Sequence, residues 1–162
     1  MLNSKYIKIG QYCEIQDYCA IHQIDIKKNY ILKLGDNCLI RSHSVFYTNT
    51  TIGDNFKCGH SVLIRENNFL GNNISIGSHS IIEHSCKIND NVRIHSSSFI
   101  PELTTIEKNV WIGPKVTLTN AKLPNQKDTK KKLISPYIKE GAIIGANVTI
   151  LPGVVIGQNS FI

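Results

Sequence analysis

Apolar residues recur along this chain at one fixed interval of six. From Leu34 they fall on Ile40, Phe46, Ile52, Cys58, Ile64, Leu70, Ile76, Ile82, Ile88, Ile94, Ile100, Ile106, Ile112 and Leu118, fifteen positions without a polar residue. A period of six is neither helical nor a simple alternation. The fourth residue after each of these positions is mostly small or apolar, as at Cys38, Ser44, Thr50, Val62, Ile74, Ser80, Cys86, Val92, Val110 and Val116. Two inward positions per six residues, separated by outward ones, predict short strands joined by tight corners. The corners are supplied by Gly35-Asp36-Asn37, Gly53-Asp54-Asn55 and Gly71-Asn72-Asn73, residue types that tolerate turn geometry.

A hexad repeat sustained over this length predicts a β-solenoid; the closure of three hexads into one coil of about 18 residues comes from the known hexapeptide solenoid fold and not from the period itself. Ile9, Ile15 and Ile21 share a phase that is one residue out of step with Leu34, so a small insertion is expected within residues 24–29. A second break follows Leu118, and the phase resumes at Ile138, Ile144, Ile150, Ile156 and Ile162. Residues 121–137 between them carry Pro124, Pro136 and five lysines and read as one projecting loop. The expectation is a single domain over 1–162: an irregular section 1–33, regular coils 34–118, a projecting loop 119–137 and final coils 138–162. About seven coils at roughly 4.8 Å each give a prism some 30–35 Å long.

The inward register also accounts for the five cysteines. Cys13, Cys19, Cys38 and Cys86 take the small inward position and Cys58 the large one, so all are expected as reduced, buried thiols. Asn68 falls on an inward position and needs a partner such as a neighbouring backbone group. The net charge of +6 owes much to Lys127, Lys130, Lys131 and Lys132 in the loop. A basic loop without aromatic stacking residues or a groove-reading helix argues for contact with small-molecule phosphates or water, not nucleic acid. No apolar run is long enough for membrane insertion and the N-terminus has no signal-peptide pattern, so a cytoplasmic location is expected.

Residues 18 apart stack on adjacent coils while the phase is unbroken. That rule puts Glu66, His84 and Glu102 in one outward row, and Asn120 ends the row where the chain leaves the prism. A histidine beside a carboxylate suits general-base chemistry, because the acid orients the ring and raises its basicity. His95 shares a column with Gly77 and Gly113 and has room for a ligand.

Three segments resemble the hexapeptide-repeat acyltransferases. Residues 106–114 (Ile-Glu-Lys-Asn-Val-Trp-Ile-Gly-Pro) closing on Thr119-Asn120 and Pro124 are similar to a pattern in the nucleotide-sugar N-acetyltransferases of surface-polysaccharide biosynthesis. Residues 138–153, with Gly141, Ala142, Gly145, Ala146 and Thr149, look like the coil those enzymes set against the pantetheine arm of acetyl-CoA. His84-Ser85-Cys86-Lys87-Ile88-Asn89-Asp90 resembles a segment whose histidine is the general base in related sugar and lipid acyltransferases.

The resemblance implies a left-handed parallel β-helix and a homotrimer with active sites between neighbouring prisms. It further implies acetyl transfer from acetyl-CoA, as co-substrate, to the amino group of a nucleotide-linked amino sugar, with no metal. Under it His84 is the base, with Glu66 or Glu102 orienting it. Substrate contacts are expected from His95, Asn120, Lys130 and Lys131, and coenzyme contacts from Gly113, Gly141, Ala142, Gly145, Ala146 and Thr149. Ser85 stands where an acid often follows the base, and His95-Ser96 stands where many of the N-acetyltransferases have Gln-Asn, so His84 and His95 are alternative bases. Sugar O-acetylation on the same fold is a second reading. A third resembles the γ-class carbonic anhydrases, with His43, His79 and His84 around a zinc ion, although that family's upstream Arg and Asp are replaced by Ile21 and Gln23. Relatives usually continue past the position of Ile162 into another coil and a basic tail, so the chain is expected to be truncated or its last coil covered.

Overall fold

The computed structural model describes residues 4–23, 28 and 30–162. It is a left-handed parallel β-helix of triangular section. Among the described residues, twenty-two strands of two or three residues stack into three parallel sheets of eight, seven and seven strands. Sheet 1 begins with Ile7–Ile9, sheet 2 with Glu14–Ile15 and sheet 3 with Ala20–His22. The chain visits the sheets in that order, one strand each per coil. Short 3-10 turns at Ser4–Tyr6 and Thr129–Lys132 are the only helical segments among the described residues.

The six-residue period is the register itself. Ile52 pairs with Leu70, Leu70 with Ile88 and Ile88 with Ile106, each 18 residues on. All fifteen periodic residues from Leu34 to Leu118 are at most 5% exposed. The companion inward positions are buried with them, including Phe56, which meets Phe46 edge to face at 6.2 Å. Each corner turns on one residue of positive φ, recurring every sixth position from Asn37 to Lys115. Most of these are Asn, Ser or His, and Asn is the side chain that adopts this left-handed conformation most readily.

Polar ladders hold the corner between sheets 1 and 2. Side-chain amides link Asn55 to Asn73, Asn73 to Asn91 and Asn91 to Asn109 at 3.0–3.1 Å. Beside them, Asp54, Asn72 and Asp90 each accept the backbone N–H of the equivalent residue one coil earlier, at 2.7–2.9 Å. This clamp needs glycine next to it: a side chain on Gly53 would collide with the Asn72 amide oxygen.

Both phase breaks preserve the register. Ile9 pairs with Leu34 across seven extra residues, and Ile106 pairs with Ile138 across fourteen. The first insertion, expected within 24–29, lies outside the described residues except for Lys28. The second emerges after Leu118 and ends before Tyr137, which already pairs with Thr105 and so belongs to the prism and not the loop. Glu107 clips the coils on either side of the loop, accepting the Tyr137 hydroxyl at 2.6 Å and the Glu140 N–H at 2.8 Å. The Tyr137 hydrogen bond, joined by that from Glu140, lowers the Glu107 carboxyl below its ordinary pKa.

The cysteines are free thiols, but only Cys38, Cys58 and Cys86 are buried. Cys13 and Cys19 belong to the first coil, which has a neighbour on one side, and stay half-buried. Burial pushes the Cys38 and Cys58 thiols up to about 11 and that of Cys86 to about 12. Asn68 has its backbone partners: its amide donates to Arg65 O at 2.8 Å and its oxygen accepts the Cys86 N–H at 2.6 Å.

Replacing Asn68 by Leu tests that contact. Arg65 O keeps the Thr50 hydroxyl at 3.0 Å, whereas the Cys86 N–H loses its acceptor. Urea unfolding should show a loss of about 1–3 kcal/mol, the cost of one buried unpaired donor.

Candidate active site

The hypothesised site residues fall on different edges of the prism. Glu66, His84, Glu102 and Asn120 lie where sheet 3 turns into sheet 1. His95, Gly113, Gly145 and Ala146 lie where sheet 2 turns into sheet 3, and Gly141 where sheet 1 turns into sheet 2. His84 and His95 are therefore separated by the whole width of sheet 3 within one chain.

A cleft opens on the sheet 3–sheet 1 edge. Arg65, Glu83, His84, Glu102 and Leu103 line it from the prism, and Lys130 and Leu133 from the loop. The loop's return limb is fastened down there. The Ser135 hydroxyl donates to Glu102 O, Ile134 N–H to Asn120 O at 2.9 Å and Gly153 N–H to Ile134 O at 2.9 Å. Pro136 is buried behind them. The return limb of the loop thus forms one wall of this edge. Lys130 reaches the cleft, whereas Lys131 turns out to solvent and pairs with Asp128 at 3.2 Å. Asn120 places its side-chain amide nitrogen in a buried spot without a hydrogen-bond partner among the described residues.

Neither expected carboxylate makes a hydrogen bond or ion pair with the His84 ring among the described residues. His84 Nδ1 lies 3.2 Å from the Ser85 hydroxyl, its one side-chain partner among the described residues. Glu66 is held by Arg65, whose Nε and Nη2 reach its two oxygens at 2.8 and 2.9 Å. Arg65 also donates to Glu83 at 3.1 Å and lies 5.3 Å over the Tyr47 ring. Burial raises the Glu66 carboxyl, but the Arg65 hydrogen bonds and charge outweigh it, and a smaller contribution comes from nearby His84, so its pKa lies below the ordinary value. Glu102 makes no side-chain hydrogen bond or ion pair with the described residues.

Leu103 is the anomaly of this edge. It adopts φ of 65°, where the equivalent corner residues are Asn49, Asn67 and Ser85. An L-residue pays about 1–2 kcal/mol there, yet the Leu103 side chain is 52% exposed, facing the cleft opposite Leu133.

The second candidate surface lies on sheet 2. Trp111, Ile143 and Phe161 form its apolar wall, with Asn109, Gly141 and Gly145 beside them. His95 packs on Trp111 with ring centroids 4.9 Å apart, and burial, with Arg93 adding to it, lowers the His95 pKa. Two expected coenzyme contacts sit elsewhere. Ala142 is 0% exposed with its methyl in the core, and Thr149 faces outward on sheet 3. Gly113 is buried beneath Gly145 and Ala146, where a side chain would collide with their backbone.

His43 and His79 occupy the sheet 2–sheet 3 edge two coils apart, across sheet 3 from His84. His43 stacks on Tyr18 at 5.0 Å and meets the Ser42 hydroxyl at 3.1 Å. Among the described residues no three His, Cys, Asp or Glu side chains converge as metal ligands within the chain.

Arg65, Glu83, Leu103, Leu133 and Ser135 were not among the candidates drawn from sequence. The Arg65–Glu83 pair carried a signal, since the two are 18 residues apart. The loop residues carried none, because the loop has no period.

Residues 135–162 match the family model described as bacterial transferase hexapeptide (six repeats). No curated protein sequence matches the chain. Among solved structures it is similar to an Arabidopsis UDP-N-acetylglucosamine acyltransferase at 16% identity, covering 90% of this chain and 57% of that one, with a TM-score of 0.48. LpxA from Acinetobacter baumannii is 15% identical over 92% of this chain and 61% of its own, with a TM-score of 0.32. WeeI from Acinetobacter baumannii AYE is 16% identical over 88% and 54%, with a TM-score of 0.30. The chain thus spans a little over half the length of these structures. Its fold is a left-handed parallel β-helix, and the match to the hexapeptide transferase repeat falls in its last coils.

The Arg65–Glu66 pair can be measured by a double-mutant cycle with Arg65→Met and Glu66→Gln. Because the folded pKa of Glu66 is depressed, the coupling exists above the ordinary carboxylate range and is lost as pH falls through the folded value. Unfolding at pH 7 should give about 1 kcal/mol of coupling, which should shrink progressively as the pH is taken below the ordinary carboxylate range.

Proposed function

We propose that this protein is an acyltransferase that moves an acetyl group from acetyl-CoA to the amino group of a nucleotide-linked amino sugar. The observation that carries this reading is the cleft around His84, where an imidazole without a carboxylate partner faces a loop lysine and an apolar wall. His84 accepts the proton of the attacking nitrogen, Lys130 meets the nucleotide phosphates, and Leu103 with Leu133 keeps water from the reacting groups. The family match over the last coils and the printed activities of the similar structures agree with an acyl-transfer role. The nucleotide-sugar acceptor enters from the resemblance.

The working form in this reading is a homotrimer. Sheet 3 presents Val45, Leu63, Ile81 and Phe99 outward in one apolar row, one per coil. If that face turns toward a three-fold axis parallel to the prism, symmetry sets the sheet 3–sheet 1 edge of one copy beside the sheet 2–sheet 3 edge of the next. The His84 cleft of one chain then confronts the His95 edge of its partner, bringing a coenzyme on the Gly145 side within reach. No described helix is long and apolar enough to cross a membrane, and the reading implies a cytoplasmic enzyme supplied with acyl-CoA and nucleotide sugars.

Two measurements test it. With acetyl-CoA and a panel of amino-sugar nucleotides, wild-type protein should release thiol, and His84→Ala should lower kcat roughly 100- to 10,000-fold. Near-normal turnover by a folded variant would remove His84 from the chemistry. Ile81→Asp should convert a trimer into monomers by light scattering and abolish transfer together with assembly.

A further inference from the structure

Around His84 the charged groups divide into those already satisfied by protein partners and those left open. Arg65 takes both oxygens of Glu66 and one of Glu83, so these three form a closed cluster. Glu102 and Lys130 line the same cleft, and neither has a side-chain hydrogen bond or ion pair among the described residues. Glu102 is only half exposed, between the buried Pro101 and the left-handed corner at Leu103. The Ser135 hydroxyl holds its main chain from the loop side. The main chain is thus anchored while the carboxylate is left without a protein partner, and a half-exposed carboxylate lining a cleft favours a cation as its partner.

The carboxylate makes no hydrogen bond or ion pair with the His84 ring, so it is not bonded to the base. It stands one coil further along the row, and both side chains line the same cleft, where one bound nitrogen can meet the two.

We propose that Glu102 is the subsite for the protonated amine of the acceptor, and that it makes the cleft selective for an amine over a hydroxyl nucleophile. The inference rests on the acyl-transfer reading for the reaction, but on the cleft alone for the recognition. The ammonium binds between Glu102 and His84. It loses a proton, and the free amine attacks the thioester carbonyl, forming the C–N bond. The tetrahedral intermediate then breaks its C–S bond. Of the two protons the nitrogen gives up, one passes through His84 to the departing thiolate and the other goes to solvent. The products are the amide and free coenzyme A, with no oxidant or metal required. A hydroxyl acceptor brings no charge for Glu102, and its binding leaves the carboxylate as it was.

The test uses two matched probes, UDP-glucosamine and UDP-glucose, which differ by an amine against a hydroxyl at one carbon. Their binding to the full chain is measured by calorimetry at pH 6.5, where the amine is largely protonated. Wild-type protein should prefer UDP-glucosamine by roughly 10- to 100-fold, the effect of one charge-assisted pair. Glu102→Gln should erase the preference by weakening the amine probe alone, and Glu102→Asp should retain part of it. Equal binding of the two probes by wild type, or an unchanged preference in a folded Glu102→Gln, would overturn the proposal. Thiol release from acetyl-CoA is followed in parallel. Amine-selective binding without any acyl transfer would leave the Glu102 subsite standing and remove the enzymatic reading; transfer with no dependence on Glu102 would do the reverse.

Discussion

Every position described above depends on one constraint: the backbone of each coil is hydrogen bonded to the next at a constant offset. Leu70 N–H does not choose its partner independently of Ile76 or Ile82; all three sheets must keep step for any of them to close. The left-handed corner residues make this possible by turning the chain once every six positions. Hydrophobic burial supplies the driving force, but it is the shared register that converts burial into addresses. A side chain such as His84 then has its neighbours determined by arithmetic.

This explains what could be read from the residues alone and what could not. The inward row from Leu34 to Leu118, the backbone partners of Asn68 and the row Glu66, His84, Glu102 follow directly from a period of six. Stacking in a row, however, says that side chains are near, not that they bond. Glu66 sits next to His84 in the row and yet turns to Arg65, because a bidentate guanidinium offers two charge-assisted bonds where an imidazole offers one. Ala142 shows the same limit from another side. Its small size suited a ligand surface, but its place in the hexad is inward, and the core has first claim on it. The hold of Ser135 on Glu102 was illegible for a different reason. Residues 119–136 lack any repeat, so no spacing rule relates Ser135 to Glu102.

The two candidate surfaces have complementary character. The His84 edge is charged and narrow, closed on one side by the loop. The Trp111 face on sheet 2 is apolar and open, and its only histidine has a depressed pKa. One prism keeps them apart because a rigid solenoid cannot bend its edges together. Under the proposed reading, chemistry that uses both surfaces calls on a second copy, and the apolar row of Val45, Leu63, Ile81 and Phe99 on sheet 3 is the face on which such copies would meet.

The loop between Leu118 and Tyr137 leaves and re-enters the solenoid without shifting a single backbone pairing, since Ile106 meets Ile138 as Ile88 meets Ile106. The backbone register of the prism is therefore independent of the loop's length. Outside the anchored return limb of Ile134, Ser135 and Pro136, substitutions and length changes there escape the packing penalties that restrain every hexad. The scaffold can thus carry a different wall beside the same cleft by rewriting one insertion, while the coils that carry His84 stay as they are.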